Sequence, residues 1–168
     1  MLIDPFLSNE GGCWAGMTSV PSISNRINLY VNRYIDNSPQ SFEILSSLAR
    51  KGETGAGGLK INPFDEPDDN KILKYSLNNI ARAIMEGTVQ LLKNNIDALK
   101  ENGIYAKEGI MVGGPSEDPY WIELIENICN IKLKVIHGQY AGAVGAAKMA
   151  GVAVGIYENI ESVDDLCV

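Results

Sequence analysis

The sequence predicts a single α/β domain whose sheet is mixed or mostly parallel. An apolar stretch at residues 109–112 leads into a double glycine and then a helix start. Helix, strand, helix, strand and helix alternate between Ser76 and Ala150, an order typical of strands joined by helical crossovers. A length of 168 residues suits one domain with a substantial core, so we take 1–168 as a single unit.

The N-terminal third predicts two helices after an irregular start. Residues 1–22 are punctuated by glycine and proline, and we expect them to be irregular. A first helix from about Ser24 has one apolar face, which carries Ile27, Tyr30, Val31 and Tyr34. For a second helix, Ser38 is the predicted cap, Pro39 the first residue and Gly52 the stop. Its apolar side carries Phe42, Leu45, Leu48 and Ala49.

The segment from Gly52 to Asn70 reads as loop, with a short strand predicted at Leu59–Asn62. It contains an acidic cluster made of Asp65, Glu66, Asp68 and Asp69. Carboxylates in such a cluster could hold a metal, but a solvated turn rich in Asp and Pro is the interpretation we favour. We therefore assign no metal ligand there.

The strongest helix signal runs from Ser76 to Asn102 and stops at Gly103. Its apolar stripe follows helical spacing through Leu77, Ile80, Ala81, Ile84, Thr88, Leu91, Asn95, Ile96 and Leu99. The strand at 109–112 follows, and then a helix at Pro119–Cys129 that Asp118 is suited to cap.

The C-terminal third predicts one more strand and one more helix. The strand Ile131–Ile136 alternates apolar residues with lysines, as a half-exposed strand does. The helix Tyr140–Ala150 consists almost entirely of glycine and alanine, and glycines inside a helix each cost about 1 kcal/mol relative to alanine. Gly142 and Gly145 therefore predict close packing against the rest of the protein, or else a position beside a ligand cleft. Residues 158–168 form a tail.

The composition indicates which classes of partner and which cellular compartment to expect. The chain carries 21 acidic and 14 basic residues, a net charge of −7, which argues against nucleic acid and membrane surfaces as partners. Cys13, Cys129 and Cys167 lack metal or disulfide spacing, so we expect a cytoplasmic protein. His137 has no neighbouring Cys or His and is interpreted as a loop residue. No Ser/His/Asp or Cys/His catalytic set is present, so we assign no catalytic residue.

The double glycine at Gly113–Gly114 is the best local candidate for a ligand site. Glycine tolerates positive φ and has no Cβ, so the backbone there can form a tight turn and approach a ligand closely. The pattern is neither the dinucleotide fingerprint nor a P-loop, and most such turns have no ligand.

Three segments resemble, in order and spacing, the C-terminal domain of the FGGY family of carbohydrate kinases, and its xylulokinase-like members in particular. They are ARAIMEGTVQLLKNNIDAL (81–99), MVGGPSEDPYWIELIENI (111–128) and AGAVGAAKMAGVAVGIY (141–157). The resemblance implies an actin-like ATPase or ribonuclease-H-like fold, of which this chain would be part of the C-terminal lobe. It also implies nucleotide contacts around the turn, at Gly113, Gly114, Pro115, Ser116 and Asp118. Glu86 and Trp121 would be supporting structure, and so would Gly142 and Gly145.

The implied function is the nucleotide-binding C-terminal half of a kinase that transfers phosphate from ATP to a sugar hydroxyl. A pentulose such as xylulose is the expected acceptor. ATP and Mg²⁺ would serve the complete enzyme, and we expect this chain to bind ATP or ADP only weakly and no cofactor tightly. The family's general base and sugar-binding residues belong to an N-terminal lobe not found in this sequence, so the chain alone should be inactive.

The chain also departs from the family in ways that leave alternatives open. The connection Pro63–Lys74 is short, and Asp118 replaces the usual Ser or Asn. A non-catalytic nucleotide-binding module and an oligomerisation module both remain possible. Partners would be the missing lobe or a second copy, through an apolar surface near Trp14, Met17 and Val20.

We expect Gly114 to need positive φ, so that Gly114→Val abolishes nucleotide binding.

Overall fold

The architecture combines two small sheets with a set of helices packed around one long helix. The computed structural model describes residues 2–4, 15–135 and 141–159. The elements are β1 (Leu2–Asp4), β2 (Ala15–Met17), α1 (Ile23–Tyr34), α2 (Ser41–Ala49), α3 (Asp69–Ile72), α4 (Leu77–Glu101), β3 (Glu108–Met111), α5 (Pro119–Cys129), β4 (Lys132–Val135) and α6 (Ala141–Ala153). Within those ranges, no helix combines the length and apolarity needed to cross a bilayer.

Strands β3 and β4 pair in parallel, with Glu108 opposite Lys132 and Met111 opposite Val135. Helix α5 connects them, which confirms the predicted α/β unit in which a helix crosses over between sequential strands. One face of this sheet, which carries Met111 and Leu133, packs against the helical core. Ile110 points to the other face and is 67% exposed.

The stretch 1–22, predicted to be irregular, contains the strands β1 and β2. They pair antiparallel, with Leu2 opposite Met17 and Asp4 opposite Ala15. The glycines and prolines in this stretch indicated an irregular segment. The two strands of three residues each could not be predicted, because strand pairing depends on a distant partner rather than on local pattern. Trp14 lies outside the described residues, and Val20 is half-buried.

Helix α4 begins and ends where the sequence predicted. The Ser76 hydroxyl accepts a hydrogen bond from the Asn79 amide at 3.3 Å, an N-terminal cap, and Gly103 follows the helix with φ of 80°. Its fully buried residues are confined to the first half and are Asn79, Ile80, Ala81, Ala83, Ile84, Met85 and Val89. Helices α1, α2 and α5 all pack against it.

Helices α1 and α2 contribute the faces expected of them, with two differences. Tyr30, Val31, Leu45 and Ala49 are buried, whereas Phe42 is 40% exposed. Helix α2 begins at Ser41 rather than Pro39, because the Ser38 hydroxyl and amide both donate to Asp36 instead of capping the helix.

The predicted strand at Leu59–Asn62 is wrong, because this segment crosses helix α4 without joining a ladder. Leu59 and Ile61 are buried there, 2% and 6% exposed. A Cβ on Gly87 would lie 1.9 Å from the Ile61 carbonyl oxygen, so only glycine allows the two backbones to approach this closely. Burial against a helix accounts for the apolar pattern that suggested a strand.

The acidic segment is tied to helix α1. Asp68 caps the short helix α3 by accepting from the Asn70 amide. Asp69 accepts from the Arg33 guanidinium, with 3.0 Å from Nε to Oδ1, and from the Tyr34 hydroxyl. The hydrogen bond from Arg33, followed by that from Tyr34, lowers the pKa of Asp69. Burial, together with the bond to Asp69, raises the pKa of Tyr34 to about 12.

Helix α6 does not show the close packing predicted from its glycines. No described atom lies within 4 Å of a Cβ placed on Gly142 or Gly145. At Gly151, by contrast, such a Cβ would be 2.4 Å from the Tyr157 ring. His137, Cys13 and Cys167 lie outside the described residues, as does the tail from residue 160 onward.

Gly87→Ala should lower the free energy of unfolding by about 2–3 kcal/mol, because the new methyl group would collide with the Ile61 carbonyl rather than with a movable side chain. Urea denaturation followed by circular dichroism measures this. Gly145→Ala is the matched control: its Cβ is unobstructed, and alanine favours a helix by about 1 kcal/mol, so stability should stay level or rise. Equal loss in both variants would contradict the assigned contact.

Tyr34 should make stability depend on alkaline pH. Its folded pKa of about 12 lies above the ordinary value of 10.0, so its contribution is complete below about pH 10 and is lost as the pH rises through about 12. We expect the stability advantage of the wild type over Tyr34→Phe, measured from urea midpoints, to be constant from neutral pH to about pH 10 and then to shrink. An advantage that stays constant up to pH 12 would contradict this.

Candidate functional site

The connection between strand β3 and helix α5 is a turn built on two glycines with different roles. Gly113 has φ of 90° and ψ of −176°, a conformation that side-chain-bearing residues rarely adopt. Gly114 begins a 3-10 turn, Gly114–Glu117, and no atom of the described residues lies within 4 Å of a Cβ placed on it. The positive φ expected at Gly114 is therefore found at Gly113.

Ser116 closes this turn from the inside. Its hydroxyl donates to the Gly113 carbonyl at 2.6 Å, and its amide donates to the same oxygen at 2.9 Å. The residue is 2% exposed, whereas Gly114 and Pro115 are exposed. The outer surface of the turn is thus formed by Gly114, Pro115 and Glu117, and the Ser116 hydroxyl is directed at the backbone.

Asp118 joins the end of the turn to two helices. One carboxylate oxygen accepts from the Tyr120 amide at 2.9 Å, which confirms the predicted cap of helix α5 ahead of Pro119. The other accepts from the Ser46 hydroxyl on helix α2. The Arg50 guanidinium lies 3.8 Å from the carboxylate. Asp118 is therefore engaged on both oxygens within the protein.

Tyr120 makes the second contact between these helices. Its hydroxyl donates to the Ala49 carbonyl at 3.2 Å, and the Arg50 guanidinium lies 4.9 Å from the centre of its ring. Burial raises the pKa of this tyrosine, so the hydroxyl stays protonated as a donor. We call this group the α2–α5 clamp; its members are Ser46, Ala49, Arg50, Asp118 and Tyr120.

A second set of polar contacts fixes the loop after helix α2 against helix α4. The Asn79 side-chain oxygen accepts from the Glu53 amide at 2.9 Å. Arg82 donates to the Gly52 carbonyl at 3.0 Å and to Glu86 at 2.6 Å. Glu86 also accepts from the Gly55 amide at 3.1 Å. The loop is thus bound through its backbone by Asn79, Arg82 and Glu86, so Glu86 has a structural role.

An open pocket of about 730 Å³ lies between helices α4 and α5 and this loop. Its walls carry two cations, two carboxylates and two amides over an apolar floor, and the lining residues are Arg50, Thr54, Gly55, Arg82, Glu86, Gln90, Tyr120, Glu123, Leu124, Asn127 and Ile128. No residue of the Gly113–Asp118 turn lines it, so the pocket and the turn are separate features. Sequence reasoning missed the pocket, although polar residues at 82, 86 and 90 share one helical face.

No group of three or more His, Cys, Asp or Glu side chains converges within the described ranges as a metal site would require. Within the described part of the chain, the exposed turn and the polar pocket are both candidates to receive a small molecule. The turn offers backbone groups and the start of a helix. The pocket offers side chains of mixed charge.

Comparison with known proteins identifies the lineage. The C-terminal domain of the FGGY family of carbohydrate kinases matches residues 64–154, more than half of the 168-residue chain. A xylulose kinase from Staphylococcus epidermidis is 26% identical over 136 residues, which cover 73% of this chain and 27% of that protein. A xylulose kinase from Haemophilus influenzae is 24% identical over 163 residues, 89% of this chain and 32% of that protein.

Solved structures agree on the fold. Ligand-bound xylulose kinase from Lactobacillus acidophilus superimposes with a TM-score of 0.65 at 19% identity, over 82% of this chain and 30% of that one. Gluconate kinase from the same organism also gives 0.65, at 18% identity and with the same coverage. The fold is therefore that of part of an actin-like, ribonuclease-H-like sugar kinase.

The chain spans about a third or less of the length of these relatives, 27% and 32% for the two xylulose kinases. The matched region contains helix α4, the Gly113–Gly114 turn, helix α5 and helix α6. It also contains the three segments on which the resemblance was based, apart from the last few residues of the third. On this match the chain belongs to the FGGY family of carbohydrate kinases, of which it carries the C-terminal domain.

Proposed function

We propose that this chain is the nucleotide-binding part of an ATP-dependent carbohydrate kinase, in which phosphate passes from ATP to a sugar hydroxyl. The observation that carries the proposal is the exposed glycine turn at the end of parallel strand β3, inside the region matched by the family. Ligands of α/β proteins bind beyond the carboxyl ends of parallel strands, and the amides at a helix start favour anionic groups.

The five predicted nucleotide residues divide into two groups in this proposal. Gly114 and Pro115 form the exposed edge that meets the adenosine, and Gly113 gives the turn its shape. Ser116 and Asp118 support the turn on the side away from the nucleotide, since their side chains bind the turn and the neighbouring helices. Because no atom in the described part of the chain lies within 4 Å of a Cβ on Gly114, the missing side chain at this position leaves space for a ligand.

A pentulose is the acceptor we favour, because several relatives are named for one. They include the xylulose kinases and a ribulokinase from Geobacillus thermodenitrificans that is 30% identical over 117 residues. Mg²⁺ would arrive with the phosphates of ATP, whose charge it neutralises in such reactions. We assign none of the described residues as its ligand and none as a catalytic group.

One observation favours an alternative role as an oligomerisation module. Beyond the close contact at Gly151, helix α6 and the residues after it present apolar side chains to solvent, with Met149 58%, Val154 71% and Ile156 70% exposed. Apolar surface of this kind is typical of protein contacts. Light scattering over a range of concentrations separates the roles, because a constant monomer mass would contradict the oligomerisation role.

Calorimetric titration with ATP and ADP tests the proposed site. We expect weak binding, in the high micromolar to millimolar range, which corresponds to about 4–6 kcal/mol. Gly114→Ala should weaken it at least about tenfold, or ~1.4 kcal/mol, without lowering the melting temperature, because the new methyl group meets no protein atom. Gly114→Val should abolish binding.

Gly113→Ala is the matched comparison for this titration. Since Gly113 has φ of 90° and ψ of −176°, a region essentially restricted to glycine, alanine there should lower the melting temperature even without nucleotide, at a cost of about 1–3 kcal/mol. Unchanged ADP affinity in Gly114→Ala would place the site elsewhere, whereas no nucleotide binding by the wild type would contradict the proposed function. Low micromolar affinity would contradict the weak binding expected of this chain.

The 168-residue chain by itself should not phosphorylate xylulose. Phosphoryl transfer depends on positioning both substrates and neutralising charge, and we propose that this chain supplies only the nucleotide side. A coupled assay of ADP release with ATP, Mg²⁺ and xylulose measures the activity. ADP release that depends on the sugar, and that follows the protein through successive purification steps, would contradict the proposal.

A further inference from the structure

We infer that helix α2 positions the proposed nucleotide turn, and that Ser46 is the positioning residue through its bond to Asp118. The inference rests on the proposed function, because it assigns to α2 the control of the same turn. Neither Ser46 nor Arg50 lies in the Gly113–Asp118 segment, and both precede the family-matched region at residues 64–154. The α2–α5 clamp connects them to the turn.

The Ser46 hydroxyl has a fixed position in the core. Ser46 is 6% exposed, on the side of helix α2 that faces helix α4, and its hydroxyl also lies 3.9 Å from the Met85 sulfur. A buried hydroxyl must find a partner, and the Asp118 carboxylate is the strong acceptor within reach. The bond from α2 to Asp118 therefore begins at a buried hydroxyl and ends at a carboxylate whose side chain is 28% exposed.

Asp118 transmits this position to the turn. Its amide donates to the Pro115 carbonyl at 3.4 Å, and its carboxylate caps the amide of Tyr120 at 2.9 Å. Capping helix α5 requires one acceptor oxygen, which a serine supplies as well. The carboxylate has a second oxygen, and that oxygen binds α2. An aspartate at this position therefore caps helix α5 and couples the turn to α2 through separate oxygens, whereas a serine has a single oxygen, on a shorter side chain, for both contacts.

Tyr120 and Arg50 hold the first turn of α5 in the same place. The Tyr120 hydroxyl donates to the Ala49 carbonyl, and the Arg50 guanidinium stacks over the Tyr120 ring and faces Asp118. The α2 side of the clamp thus contacts both the carboxylate that ends the turn and the helix that follows it. A shift of α2 would move Gly113–Asp118 with it.

Hydrogen exchange on the 168-residue chain tests the clamp, with Ser46→Ala as the variant and Ser47→Ala as the matched control. Ser47 is the exposed neighbour on the same helix. We expect Ser46→Ala to speed exchange of the Ser116 and Tyr120 amides by about tenfold, the change that loss of one hydrogen bond to a charged group produces. Ser47→Ala should leave both amides at the wild-type rate.

Titration of the same variants with ADP supplies the second readout. Ser46→Ala and Asp118→Ser should each weaken ADP binding several-fold while circular dichroism shows intact helices, and the double variant should lose no more than either single one. Asp118→Ser keeps the helix cap but removes both the second oxygen and the charge that faces Arg50. Wild-type exchange rates in Ser46→Ala overturn the inference, and so does unchanged ADP affinity in a chain that binds ADP.

The two proposals fail in distinguishable ways. If the wild-type chain binds no ADP, the proposed function is contradicted, whereas faster exchange in Ser46→Ala still supports the positioning of the turn by α2. If ADP binds and Gly114→Ala weakens it while Ser46→Ala changes neither readout, the nucleotide site stands and the inference is overturned.

Discussion

The close approach of the Ile61 carbonyl to Gly87 is the constraint on which the rest of this structure depends. It brings an extended backbone directly onto helix α4, halfway along the helix. Leu59, Ile61 and Pro63 are buried by that crossing, and the loop before them is bound by Asn79, Arg82 and Glu86 on the preceding turns of the same helix. One helix therefore organises both the apolar core and the polar contacts that surround it.

Helix α2 connects helix α4 to the candidate site. Helix α2 packs on α4, and Ser46 contacts both Met85 and Asp118. Asp118 ends the glycine turn and starts helix α5, which packs on α4 in its own right. The turn is exposed on one side and held on the other by partly buried hydrogen bonds, so a ligand would meet a surface whose geometry is set before it binds.

The features predicted correctly from the sequence are those whose causes are local. The bounds of α4, the Asp118 cap and the crossover between β3 and β4 each follow from periodicity or from residues adjacent in the chain. The strand at Leu59–Asn62 failed because burial on a helix and burial in a sheet produce the same apolar pattern. The partner of Asp118 could not be predicted, since Ser46 is 72 residues away and no spacing rule connects them.

That separation has a consequence for how the protein folds. A contact between residues 72 positions apart closes a long loop of chain, whose entropic cost is recovered only after the intervening helices have packed. Helix α4, with 25 residues, can form early from local contacts, whereas the shorter helices α2 and α5 and the turn at Gly113 acquire their final shape when they dock on it. A partly folded chain would then keep part of its helicity without an organised site, and mild heating would disorder the site before helix α4.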